Sequence, residues 1–310
     1  MKPKEATKGA SVDTPKEQLT FLPRIKYNAN TYNSYHLHED TEVERFLSNN
    51  VSKKYTRSVD YFVTVRIYDK PIDGFSTINI SVDSTKYKFV DGRAVFEFST
   101  EGDMKKAIRF DDLTYHTAIN GRTYNIVHSP YGEVAKIDGA EIEDLRNYIL
   151  VDGAGKLDTL TEFIWLDAIS KEKLGYIGDM QKMTFPSDRM PLDSVWKSPL
   201  SITLNNVDFI DTSASAKIIS YSAGTTIVQA KCDHLTNLPK KSLFYEIKLP
   251  VSVIDSKGSG TQTVEISPTG ALNSSKSYFD SEIKVMVGKD IMTEKINTKI
   301  EWILTGTFKM

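Results

Sequence analysis

The chain has 310 residues, 40% of them hydrophobic and 26% charged, with a formal net charge of −2. That length admits two domains or one large one with insertions, and the near-balance of charge excludes a global field that would draw in nucleic acid or an anionic membrane. The single cysteine, Cys232, excludes an intramolecular disulfide, and no run of about 18 apolar residues is present to form a membrane helix.

Met1 to Ala6 lacks an apolar signal core, so the chain is expected to be made in the cytoplasm without a secretion signal. Residues 1–22 are Lys, Glu, Thr, Ser and Pro with little to bury. Tyr27, Tyr32 and Tyr35 punctuate the next stretch. A short helix is expected at its end, capped by Asp40 or Thr41 and carrying Val43, Phe46 and Leu47. Residues 1–50 together read as an arm ordered by a neighbour.

Val59, Tyr61, Val63, Val65 and Ile67 alternate with Asp60, Thr64 and Arg66, the period-two pattern of a strand with one buried face. Further strands are expected at 78–82, 94–98, 106–110, 114–118, 123–128 and 133–137, with hairpin turns at Asp91-Gly92 and Asn120-Gly121. Ile142, Leu145 and Ile149 lie at helical spacing. Thr159 to Glu162 fits a capping box for a helix over 160–172, and a hairpin turning at Ser170 to Lys173 fits nearly as well. The stretch from Pro186 to Pro199 reads as a linker.

The last 110 residues form a second block, with strands expected at 201–209, 216–222, 225–232, 243–254, 261–267, 278–287 and 297–306. Asn205-Asn206 shifts the phase of the first as a bulge would. Leu243, Tyr245, Ile247, Leu249, Val251 and Val253 alternate as clearly as the 59–67 run. Lys257 to Gly260 and Pro268 to Gly270 read as loops, and Ile300, Trp302 and Leu304 face inward on the last strand. The expected class is therefore mainly β: two antiparallel β-sandwich or jelly-roll blocks (51–137 and 200–310) separated by a small α-containing insertion and linker (138–199).

The leading metal candidate is His36-Leu37-His38, with Glu42 closing the set. The H-x-H-x-x-x-E spacing resembles the first cupin motif, which would imply a metalloprotein. The flanking glycines of that motif are missing here, and no later Pro-x-Gly…His segment follows. The alternative is a polar cluster without an ion. His116 and His128 read as structural, and His234 beside Cys232 lacks a resolved partner for nucleophilic chemistry. Asp111-Asp112 and Glu141/Glu143/Asp144 read as solvated acidic turns. Gly153-Ala154-Gly155-Lys156 fails the phosphate-loop pattern, since Leu150 and Leu157 stand where Gly and Ser/Thr are required. No catalytic residue and no cofactor is assigned.

After Arg189 every cation is a lysine, which removes the guanidinium fork used to read bases or grip phosphate. Asp91-Gly-Arg-Ala-Val-Phe-Glu-Phe98, the disulfide-free C-terminal block and the arm give the chain a resemblance in type to phage virion proteins, whose shells use Ig-like sandwiches and jelly rolls. That resemblance implies a non-enzymatic capsid, decoration, collar or tail component that associates with its own copies and other structural subunits inside a virion. The readings beside it are a carbohydrate- or receptor-binding surface module, marked by a groove of Trp165, Trp196 or exposed Tyr, and a cupin-like metalloprotein.

Overall fold

A computed structural model describes residues 19–47, 50–102, 110–153 and 155–310. The chain is mainly β, antiparallel throughout, with helices confined to its middle. In order, the elements are β1 (Thr20–Phe21), β2 (Thr31–Leu47), β3 (Asn50–Ile67), β4 (Ser76–Asp91), β5 (Ala94–Ser99), α1 (Asp111–Thr117), β6 (Thr123–His128) and β7 (Val134–Asp138). Then come α2 (Ala140–Asn147), a π-helical turn (Tyr148–Asp152), α3 (Thr159–Ala168) and α4 (Lys171–Gly178). The remainder is strand: β8 (Met190–Pro191), β9 (Val195–Lys197), β10 (Leu200–Leu204), β11 (Val207–Asp211), β12 (Ser215–Ser222), β13 (Thr225–Asn237), β14 (Lys241–Ser242), β15 (Val251–Ile266), β16 (Leu272–Val287) and β17 (Asp290–Lys309).

Fifteen of these strands form one sheet, ordered β10-β11-β13-β15-β16-β17-β2-β3-β4-β6-β7, with the shorter β5, β9, β12 and β14 paired off that path. The two halves of the chain meet where β2 is seated between β17 and β3. The alternation read in 59–67 holds: Val59, Tyr61, Val63, Val65 and Ile67 are buried on the inner face. Leu37 and Val43 of β2, Ile80 and Phe89 of β4, and Ile300 and Trp302 of β17 extend that face. Leu113, Ile142, Leu174 and Ile177 from the helices pack in the same core. The outer face carries Ser, Thr, Lys, Asp and Glu, cross-linked by exposed pairs such as Lys284–Asp255 at 2.9 Å and Lys88–Glu97 at 2.9 Å. Such exposed pairs are screened by solvent and contribute little, so burial of the inner face, at roughly 25 cal/mol per Å², dominates the stability.

The sheet curls until its two edges, β7 and β10, line one cleft of about 510 Å³ with α4 between them. Among the described residues, no strand pairing closes that seam. The segment from Gln181 to Phe185 does, with the Phe185 amide donating to Tyr131 O (2.8 Å) and the Thr184 amide donating to Ser198 Oγ (2.9 Å).

Several local expectations change. Residues 31–47 are strand throughout, with no helix at 41–47: the inward Glu39, Thr41 and Arg45 hide the strand alternation from a polarity reading. Residues 114–117 belong to α1, with Ala118 as its C-cap, and the strand expected at 106–110 falls mostly on residues 103–109, outside the described ones. Asn120-Gly121 links α1 to β6, with the Gly121 amide donating to Val82 O (2.8 Å), and is no hairpin. Asn205 and Asn206 are the turn of the β10–β11 hairpin instead of a bulge; both have positive φ (46° and 65°), as a type I′ turn requires. Of the helix and the hairpin expected over 160–172, the helix holds as α3 up to Ala168, a second helix, α4, starts at Lys171, and the cap falls on Asp158, which accepts from the Thr161 amide (2.9 Å).

The largest change is at 243–254. Strand pairing in this stretch begins only at Val251; positive φ at Glu246 breaks the earlier run, and Leu249 is 70% exposed. Gly258-Ser259-Gly260 is no loop but the middle of β15. The reason for glycine is space, because a Cβ at Gly260 would stand 2.2 Å from Phe279 Cδ1 and 2.5 Å from Tyr278 O. Gly260→Ala is accordingly expected to destabilise the fold by about 1–3 kcal/mol, the usual cost of overpacking, measured as a lower urea midpoint at unchanged m-value.

Candidate functional site

Three places concentrate functional side chains. The first is on the outer face of the β2–β3 hairpin. His36 and His38, two residues apart on β2, point to the same side, and the register sets His38 opposite Asp60 of β3. Asp60 Oδ1 lies 2.7 Å from His36 Nε2 and 2.7 Å from His38 Nδ1. The other nitrogen of His38 is 3.0 Å from Asp40 Oδ2. Burial works against the charged form of the His38 imidazole, but Asp60 and Asp40 outweigh it and hold its pKa above the ordinary value. His36 stacks on Phe62, with ring centroids 5.0 Å apart. The structure thus brings His36 and His38 together with Asp60 and leaves Glu42 further along, beside Lys54 at 3.8 Å. Four residues of strand span roughly 13 Å, too far for Glu42 to close the set. Asp60 becomes legible only once 31–47 is read as a strand paired with 50–67.

The second place is a buried polar network beneath the sheet. Arg57 of β3 donates to Glu39 Oε1 (2.9 Å), Asp112 Oδ1 (3.0 Å) and Asn205 Oδ1 (3.2 Å). The Tyr176 hydroxyl donates to Glu39 as well. Asn205 extends the network by donating to Glu294 Oε2 (3.2 Å), and Glu294 also accepts from Arg45 Nε (2.8 Å). Lys173 Nζ donates to the Tyr61 hydroxyl (3.1 Å), which sits 2.5 Å from His116 Nδ1. Burial opposes ionisation of Glu39, but Arg57, Lys173 and the Tyr176 hydrogen bond more than offset it, so its carboxyl lies below the usual range. Burial pushes Lys173 down to about 7 and keeps His116 well below its ordinary value, the latter aided by Lys173 and Arg57. Glu39, Arg57, His116 and Lys173 are each 4% exposed or less, which leaves no face for a substrate. The guanidinium–carboxylate pairs Arg57–Glu39 and Arg45–Glu294 make the burial of those charges tolerable.

The third is a groove of about 510 Å³ between α2, its π-helical extension and α3. Leu145 and Ile149 form its buried base, and Leu157 packs beside them. Trp165 and Tyr148, the latter 59% exposed, supply aromatic surface, and Arg122 and Asp144 supply opposite charges. The wider turn of the π-helix, closed by the Gly153 amide donating to Tyr148 O (2.7 Å), gives Tyr148 its outward place; such turns recur at functional sites. Among the described residues, the Arg122 guanidinium, the Asp144 carboxylate, the Tyr148 hydroxyl and the Trp165 indole N–H have no hydrogen-bond partner in the chain. Trp196, by contrast, uses its N–H on Thr184 O (2.8 Å).

The remaining sequence candidates stay apart from these places. His128 is buried, 3.4 Å from Asp179 and stacked on Tyr27. Cys232 is buried and its thiol is pushed up to about 12, chiefly by burial, so it is a poor nucleophile. The His234 and Asp233 amides both donate to Asp211, which holds the bulge of β13 between Cys232 and Leu235. Asp112 of the Asp111-Asp112 pair is the one acidic-cluster member drawn into the buried network. Ala154 in the 153–156 stretch lies outside the described residues.

No protein-family model and no curated protein matches this chain. Among solved structures it is similar to a lipovitellin described for its lipid–protein interactions, at 10% identity and a TM-score of 0.47; the match covers 92% of this chain and 26% of that one. It is also similar to Pseudomonas aeruginosa OccK2 (OpdF), at 3% identity and a TM-score of 0.21 over 89% of this chain and 98% of that one. These likenesses are too distant to bear on function. Among the described residues, no helix is long and apolar enough to cross a membrane.

The buried amines give this fold a pH signature. Burial also pushes Lys182 down to about 8. In the unfolded chain both lysines stay charged up to about 10.4, so between about pH 7 and pH 10 the unfolded state binds more protons and stability rises with pH. Burial raises the pKa of Tyr61, Tyr115 and Tyr176, so these tyrosines reverse the trend above about pH 10. Urea titrations across this window are expected to show the rise, and Lys173→Met is expected to flatten it.

Proposed function

We propose that this chain works by binding rather than by catalysis, and that the α2–α3 groove takes a carbohydrate. The observation that carries this reading is the combination of two aromatic rings, Trp165 and Tyr148, with four polar groups that have no partner among the described residues of the chain. A sugar ring has an apolar C–H face that stacks on an indole or phenol, and a rim of hydroxyls that both donate and accept. Arg122 and the Trp165 N–H supply donors, Asp144 an acceptor, and Tyr148 either. The volume falls within the roughly 300–1,000 Å³ of small-ligand sites. The polar outer face of the sheet suits a module that presents this groove to water.

A structural role in a virion, the other non-enzymatic reading, draws support from one sheet edge. Val134 to Lys136 of β7 are exposed and leave main-chain groups open for pairing with another copy. A mass measurement in solution separates the two. A defined oligomer that persists on dilution favours assembly, and a monomer that binds glycan favours the groove.

A glycan array probed with the intact chain is expected to give selective binding, weakened about tenfold or more by Tyr148→Ala and by Trp165→Ala, in line with the loss of one stacking contact. An array without signal, or variants that bind as well as the parent, would discard the carbohydrate reading.

A further inference from the structure

The geometry points to a divalent transition-metal site on the outer face of the β2–β3 hairpin, and we propose that His36 Nε2, His38 Nδ1 and Asp60 Oδ1 bind an ion of the Zn²⁺ type. The three donor atoms lie within 4.8 Å of one another, supplied by two adjacent strands whose register is set by pairing along the whole hairpin. Two imidazoles and one carboxylate form a mixed nitrogen and oxygen set suited to zinc and its neighbours, unlike the all-oxygen sets preferred by calcium and magnesium.

Two further features distinguish this cluster from a chance meeting of polar side chains. Asp40 accepts from His38 Nε2 at 3.0 Å, on the side away from Asp60. A ligating histidine that gives its second N–H to a carboxylate is the usual outer-shell arrangement of zinc sites, because it fixes the tautomer and raises the basicity of the ligating nitrogen. Here it assigns Nδ1, the nitrogen that faces Asp60, as the ligand atom of His38. His36, for its part, is held by its stack on Phe62, so its ring plane is set before any ion arrives.

Both histidines now compete for a single oxygen, Asp60 Oδ1, at 2.7 Å each. An ion with bonds of about 2.0–2.1 Å in tetrahedral array needs its donors roughly 3.3 Å apart, so the side chains have to open by about half an ångström. They are free to do so, being about one-third exposed. Ligation needs each imidazole neutral with its lone pair on the nitrogen that faces Asp60, so protons compete with the ion and affinity falls as pH is lowered. Three protein ligands on an open face leave the fourth position to water. Glu301 of β17 stands directly across from His38, and Lys276 holds its carboxylate. Glu42, tied to Lys54, is outside the set.

The test is isothermal titration of the intact chain with Zn²⁺, repeated with Co²⁺, whose visible d–d absorption reports coordination geometry. The expected result is one saturable ion per chain, with a Co²⁺ spectrum of the tetrahedral kind. Asp60→Asn and His36→Gln are expected to lower affinity at least tenfold. Asp40→Asn is expected to cost about 10–100-fold through the His38 tautomer, while Glu42→Gln leaves binding unchanged. Because these residues lie on a wetted face, circular dichroism of each variant should match the parent, which separates lost ligation from lost folding. Absence of a saturable one-to-one ion, or equal affinity in Asp60→Asn and His36→Gln, would overturn the site.

Discussion

The rest of the molecule depends on the insertion of β2 between β17 and β3. Without it, the sheet would part into an N-terminal piece from β3 to β7 and a C-terminal piece from β10 to β17. The contact is about as non-local as the chain allows, with Arg45 meeting Glu294 across 249 positions. Such closure costs chain entropy that only extensive pairing and burial can offset. β2 supplies both, through a ladder on each side, each interrupted by one register shift, and an inner row that includes Leu37 and Val43.

The same strand organises the polar chemistry on both sides of the sheet. Its inward residues Glu39 and Arg45 anchor the buried network, pairing with Arg57 on one neighbour and Glu294 on the other. Its outward residues His36 and His38 meet Asp60 on the wetted face, and Asp40 accepts from His38. Buried ion pairs are costly to desolvate, and replacing a matched set with apolar groups is often neutral. What this network achieves is register: a one-residue slip of β2 would turn Glu39 and Arg45 to solvent, taking from buried Arg57 its Glu39 partner and from buried Glu294 its Arg45 guanidinium. The hairpin geometry of the outer histidines therefore rests on the inner charges.

The groove between α2 and α3 belongs to a different part of the fold. The helices fill the concavity of the sheet with one face and leave Tyr148 and Trp165 at the margin. α4 wedges between the sheet edges β7 and β10, so the curl of the sheet and the placement of the helices are one packing problem.

What could be read from the chain alone follows from how locally each feature is encoded. The 59–67 alternation, the hairpin at Asp91-Gly92, the helix starting at Ala140 and the predominance of antiparallel strand are local, and composition with period-two patterning was enough to determine them. The pattern failed where the interior is polar. Glu39, Thr41 and Arg45 point inward for their partners, so β2 looked like an arm with a helix until β17 and β3 were placed beside it. It also failed at Gly258 and Gly260, chosen for the close approach of Phe279, and at 243–249, whose alternation never became a strand because the chain turns at Glu246. His36 and His38 were visible as neighbours in sequence. Asp60, Arg122 and the unpartnered groups around Trp165 were not, because only strand register and helix packing bring residues so far apart in the chain to one place.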